Sequence, residues 1–279
     1  MTTTSDVSTE TFASQWRRWH DQHEAHRADP HGFLAITSLN WLGPKPQRFP
    51  DAPGAWRADE AGVSVELEPG DELTLGHDTI RGTHTFGHVV ERGGVFPRDR
   101  VGAYEVARRG GNDILRPRHP DSQTLLTYHG TPAYEPAPRW AVRGRYVPFQ
   151  SPRDTTVGSV VEGLRHVYEA PGTLEFALDG RDFALTAFNG KTPGSFLVLF
   201  TDATSGLTTY AANRTLTVDA PDASGDVVLD FNRAVNLPCA YTPFATCPLP
   251  PAGNHLDLPV EAGEKAPLKR EAAGGARPA

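Results

Sequence analysis

The stretch Thr173-Leu174-Glu175-Phe176-Ala177-Leu178-Asp179-Gly180-Arg181-Asp182-Phe183-Ala184-Leu185-Thr186-Ala187-Phe188 decides how this chain is read. Apolar residues take alternate positions on either side of Asp179-Gly180, which predicts two half-buried strands. The Asp-Gly pair tolerates positive φ at both turn positions and is a signal for a tight hairpin. Similar short runs recur at roughly ten-residue intervals on both sides, separated by Gly, Pro, Asp and Asn. They include Phe33–Trp41, Gly62–Leu67, Thr83–Val90, Ala103–Ala107, Asn112–Arg118, Trp140–Pro148, Leu207–Ala211, Thr215–Val218 and Val227–Phe231. Ser195–Phe200 is almost wholly apolar and is expected to be a central strand covered on both faces. A mainly β fold follows, an antiparallel β-barrel or sandwich.

One helix is expected, from about Thr9 to Ala28, where Phe12, Trp16, Trp19 and His23 recur at helical steps. Ser8 or Thr9 offers a cap, and Asp29-Pro30 ends it. The charges on its other positions (Arg17, Arg18, Asp21, Glu24 and Arg27) read as solvated. Residues 1–8 and 265–279 read as disordered, leaving one β-rich domain over 9–264. The Pro-rich run 129–138 is read as a long connection within that domain.

The chain has 279 residues, a formal net charge of −7 and 38% hydrophobic residues. This balance supports a sizeable core and argues against nucleic acid as a partner, since phosphate neutralisation needs a basic surface. No run of about 18 apolar residues and no apolar leader is visible, so neither a membrane partner nor secretion is expected. The two cysteines then read as reduced thiols of a cytoplasmic protein.

A site is expected near Asp230-Phe231-Asn232-Arg233-Ala234-Val235-Asn236-Leu237-Pro238-Cys239-Ala240-Tyr241-Thr242-Pro243-Phe244-Ala245-Thr246-Cys247-Pro248-Leu249-Pro250-Pro251, which holds five prolines and both cysteines. Proline rules out a continuous helix or central strand here. Asp230, between Leu229 and Phe231, needs a partner if buried and ionised; Arg214 and Arg233 are the candidates. The functional reading is a pocket for a small polar or anionic molecule. Arg214, Asn232, Arg233, Asn236, Tyr210 and Cys239 would line it, with Asp230 or Asp202 as general base if turnover follows. A second reading is a structural or protein-interaction module whose polar cluster only pins the Pro-rich loop. A third is a metal-dependent enzyme using Cys239, Cys247 and His255, whose spacing falls short of a closed zinc site. No metal and no cofactor is expected: nucleotide loops are incomplete and no nucleophile elbow occurs. Arg116 and Arg118 share a strand face and are expected to point outward.

The run 228–251, with Asn254, resembles the domain-of-unknown-function 1684 family. Trp16, Pro30–Leu34, Leu39–Leu42, Arg116–Ser122, Arg145–Phe149, Leu199–Gly206 and Thr209-Tyr210 also fit that pattern. The chain differs at Asn213, where a Gly is usual, at Val235 for an aromatic, and at His255 for an Arg. The resemblance implies a shared fold and site, without a reaction.

Overall fold

The computed structural model describes residues 4–268, with side chains from Thr11 onward. Helix α1 spans Thr4–Arg27. It thus includes Thr4–Ser8 of the segment read as disordered, while 1–3 and 269–279 lie outside the described residues. Among the described residues, no helix is long and apolar enough to cross a membrane.

The chain gathers into two compact units. One comprises His26–His129 with the short return Tyr241–Thr246. Its strands are β1 (Asn40–Trp41), β2 (Gln47–Phe49), β3 (Ala52–Asp59), β4 (Gly62–Glu66), β5 (Leu73–Leu75), β6 (Asp78–Ile80), β7 (Thr83–Gly87), β8 (Gly94–Val95), β9 (Ala103–Arg109) and β10 (Asn112–Arg118). They form antiparallel sheets ordered β1-β10-β9-β8 and β2-β3-β4-β7, plus the β5-β6 ribbon. Trp56, Val63, Val65, Leu73, Tyr104, Val106 and Leu115 make their core. A single helical turn, α2 (Gln123–Leu126), follows.

The other unit takes the chain up to Ala25, then Gly130–Ala240, and resumes at Cys247. Its strands are β11 (Ala141–Gly158), β12 (Arg165–Leu178), β13 (Arg181–Asn189), β14 (Phe196–Asp202), β15 (Arg214–Val218), β16 (Asp226–Asp230) and β17 (His255–Leu256). They run β15-β14-β13-β12-β11-β16, with β17 added parallel to β14. The mainly β, antiparallel architecture with a long N-terminal helix is as the sequence implies.

β12 shows why. His166, Tyr168, Ala170, Gly172, Leu174, Phe176 and Leu178 are all buried, and the residues that alternate with them are more exposed. Leu178 pairs with Arg181 across Asp179 and Gly180, whose φ values of +48° and +75° make the expected two-residue turn. Pro171 cannot donate a ladder hydrogen bond. It is accommodated because β11 shifts register between Pro148 and Arg153, opposite it. At Gly172 an added Cβ would come 2.3 Å from the Val147 carbonyl oxygen, so only glycine lets the strands meet.

One expected strand is cut short and another is absent. Phe33–Ala35 is a 3₁₀ turn, leaving only Asn40–Trp41 as strand. Leu207–Ala211 is a loop because the backbone N–H groups of Leu207, Thr208 and Thr209 all donate to the Thr204 carbonyl. That convergence closes a tight turn and takes three of the segment's five backbone donors away from any ladder.

Arg116 and Arg118 do not face outward. Register places Arg116 opposite Glu105, which is 2% exposed. Arg116 donates to both Glu105 oxygens at 3.0 and 2.5 Å, Arg118 also donates to it, and Arg109 lies 3.0 Å away. A carboxylate buried on that face draws in any guanidinium that shares it. Burial pushes the Glu105 carboxyl up, but the charges and hydrogen bonds of Arg116 and Arg118 outweigh it, holding the group at about 2.

Candidate functional site

The residues singled out in the sequence lie in the unit built on β11–β17, but they sort into three groups. In the first, Arg214 opens β15 opposite Phe200 of β14, whose final residue is Asp202. The Arg214 Nη2 donates to Asp202 Oδ2 at 2.6 Å and to the Val260 carbonyl at 3.0 Å. Its Nη1 donates to the carbonyls of Ala262 and Glu264, the latter at 3.4 Å. The guanidinium also lies over the Phe200 ring at 5.2 Å. The two charged side chains are 1% and 0% exposed. The other Asp202 oxygen accepts the Thr204 N–H at 2.6 Å and its hydroxyl at 2.5 Å. The partner of Arg214 is therefore Asp202 and not Asp230, and their joint load is the C-terminal strap 260–264. Burial lowers the Arg214 pKa, and Asp202 opposes that shift.

The second group surrounds the 3₁₀ turn Phe231–Arg233. Asp230 caps it, accepting from the Asn232 N–H at 3.2 Å and the Asn232 side-chain amide at 2.8 Å. The Asn232 amide also accepts from the Ala137 N–H at 2.9 Å and donates to the Ala137 carbonyl at 3.0 Å. It thereby pairs like a strand with the Pro-rich connection. The Asn232 carbonyl accepts from the Trp16 indole of α1 at 2.7 Å. Arg233 reaches Asp230 at 3.3 Å with side chains 46% and 22% exposed, and lies over Trp19 at 5.3 Å.

Tyr210 and the cysteines make the third group. The Tyr210 hydroxyl donates to the Cys239 carbonyl at 2.9 Å. Cys239 and Cys247 are buried and unbridged, and the Cys239 N–H points at the Cys247 sulfur at 3.3 Å. His255 is exposed and its Nδ1 lies 3.0 Å from the Thr201 hydroxyl.

Asn236 binds the strap from the segment that follows the 3₁₀ turn. Its backbone N–H donates to Glu264 Oε2 at 2.6 Å and its side chain to the Lys265 carbonyl at 2.8 Å. Lys265 and Ala266 in turn donate to the carbonyls of Pro132 and Thr208, so the strap continues past 264 into the segment read as tail. Glu264 faces His23 Nε2 at 3.7 Å. Glu24, read as a solvated charge, instead accepts the Thr131 N–H at 3.0 Å. Arg27, read the same way, is 3% exposed and donates to the Tyr128 hydroxyl at 3.2 Å.

His20, Glu24 and Glu264 present ligand atoms that lie within 4.8 Å of one another, the one such group of three among the described residues. The sequence signal for two of them is their four-residue spacing on a helix, which stacks side chains on one face. Glu264, 240 residues further on, had no local signal at all.

The family model described as "Protein of unknown function (DUF1684)" matches residues 126–265, half of the chain, and the chain belongs to that family. The chain is also similar to an uncharacterized protein of Haloarcula marismortui solved by solution NMR. Identity is 30%, over 51% of this chain and 79% of that one, with a TM-score of 0.43. No curated protein matches.

Proposed function

We propose that the polar groups around Arg214 and Asn232 serve the architecture, and that the chain acts as a structural or protein-interaction module. One observation carries this reading: Arg214, 1% exposed, spends both of its Nη groups on one carboxylate and three carbonyls of the chain itself, while its buried Nε has no partner among the described residues. A general base must reach a substrate proton, and Asp202 at 0% side-chain exposure is enclosed by Arg214 and Thr204. The buried, unbridged thiols favour a reducing compartment, in keeping with a cytoplasmic location.

A second reading has one observation in its favour. Arg233 and Asp230 are partly open to solvent beside Trp19, so a small polar or anionic molecule has a guanidinium to meet there, and Asp230 would be the base in any turnover. A thermal-shift screen of small anions and metabolites on wild type and Arg233→Ala separates the two. The structural reading expects no saturable stabilisation of either protein. A compound that stabilises wild type but not Arg233→Ala would overturn it in favour of ligand binding.

A further inference from the structure

We propose that His20, Glu24 and Glu264 form a binding site for a divalent first-row metal ion of the zinc or manganese kind. The donor set is one imidazole nitrogen and two carboxylate oxygens, which suits such ions and not the thiolate-rich sites of structural zinc fingers. The atoms lie within 4.8 Å of one another. Bonds of about 2.0–2.2 Å to a shared ion place ligand atoms roughly 3–4 Å apart, so closure needs movements of an ångström or less.

Each ligand is already held from behind. The Glu24 carboxylate takes the Thr131 N–H at 3.0 Å, and Glu264 takes the Asn236 N–H at 2.6 Å. The His20 ring stacks on Trp16 at 4.7 Å with 15° between planes. Backbone donors and packed rings of this kind orient metal ligands in known centres. The strap itself is fixed where the Glu264 N–H donates to the Ala234 carbonyl at 2.9 Å.

A second, independent observation comes from His20. Its Nε2 is buried and has no hydrogen-bond partner among the described residues. A buried ring nitrogen left so is disfavoured, and coordination through it would relieve that loss. Two carboxylates converging on one spot repel each other, and a cation between them removes the repulsion. His23, 3.7 Å from Glu264, is placed to compete with the ion for that oxygen.

The test uses the full chain, stripped with a chelator and titrated with Zn²⁺ by calorimetry, with Mn²⁺, Ni²⁺ and Ca²⁺ in parallel. The expected result is one ion per chain, with affinity reduced at least about tenfold by His20→Gln and by Glu24→Gln. Cys247→Ser should leave it unchanged. Circular dichroism of both helix variants checks that α1 still forms, and their partly exposed positions make loss of fold avoidable where Glu264→Gln would risk it. Absence of stoichiometric binding by wild type would overturn the proposal. So would binding indifferent to both helix variants, which leaves a His–Glu network only, or binding lost with Cys247→Ser. None of these outcomes bears on the anion screen of Arg233, so the two proposals fail separately.

Discussion

Arg214 keeps its charge out of water by ordering the strap around it, each carbonyl it holds being a further chain segment pinned to β15. Replacing one member of a buried pair leaves the other uncompensated. Arg214→Met is therefore expected to lower unfolding free energy by about 3–5 kcal/mol, and pairing it with Asp202→Leu should recover part of the loss. Urea denaturation of the three variants checks this. Glu105 gives a pH signature. Its folded value, about 2, lies below the ordinary 4.5, so its stabilising contribution is complete above the higher figure and disappears as pH falls toward the lower. In wild type the denaturation midpoint should drop across that window. In Glu105→Gln the protein should be weaker at neutral pH and its midpoint flatter on acidification. Equal slopes in the two proteins would contradict the Arg116–Glu105–Arg118 account.

At the level of elements, the long strands hold the firmest information. Gly172 sits where β11 leaves no room for a Cβ on β12, so Gly172→Ala is expected to destabilise by about 1–3 kcal/mol through displacement of the Val147 carbonyl. Thermal melts would show it, and an unchanged melting temperature would mean that the strands separate freely there. Strand identity was readable because alternation at Leu174, Phe176 and Leu178 reports a one-sided burial that period-2 geometry imposes. The Asp179-Gly180 turn was readable because its φ values exclude most other pairs. The Leu207–Ala211 loop was not, since the capture of three N–H groups by Thr204 is a conformational choice that leaves no compositional trace. The polar residues of the site were visible as types but not as pairs. β14–β15 register sets Arg214 opposite Phe200, two residues before Asp202, and the carbonyls that Arg214 holds lie some fifty residues further on. Glu264 stood at the margin of a segment that composition alone marks as tail.

At the scale of the molecule, the backbone passes between the two compact units at 25/26, 129/130, 240/241 and 246/247. Helix α1 is continuous through the first of these. With four covalent crossings among the described residues, one of them inside a helix, we propose that residues 9–264 unfold as one cooperative domain. Calorimetry and near-ultraviolet circular dichroism should then report coincident midpoints. Two separated transitions would assign independent stability to the units instead.

The tie between the Trp16 indole and the Asn232 carbonyl has a practical corollary for anyone trimming the gene. A fragment cut to the family boundaries at 126 and 265 retains β11–β17 but discards α1. It would leave that carbonyl unsatisfied, uncover the ground beneath Trp16, and remove two of the three candidate ligands. Poor solubility of such a piece would then reflect amputation, while its recovery on adding a peptide spanning 4–27 would identify the helix as the missing lid.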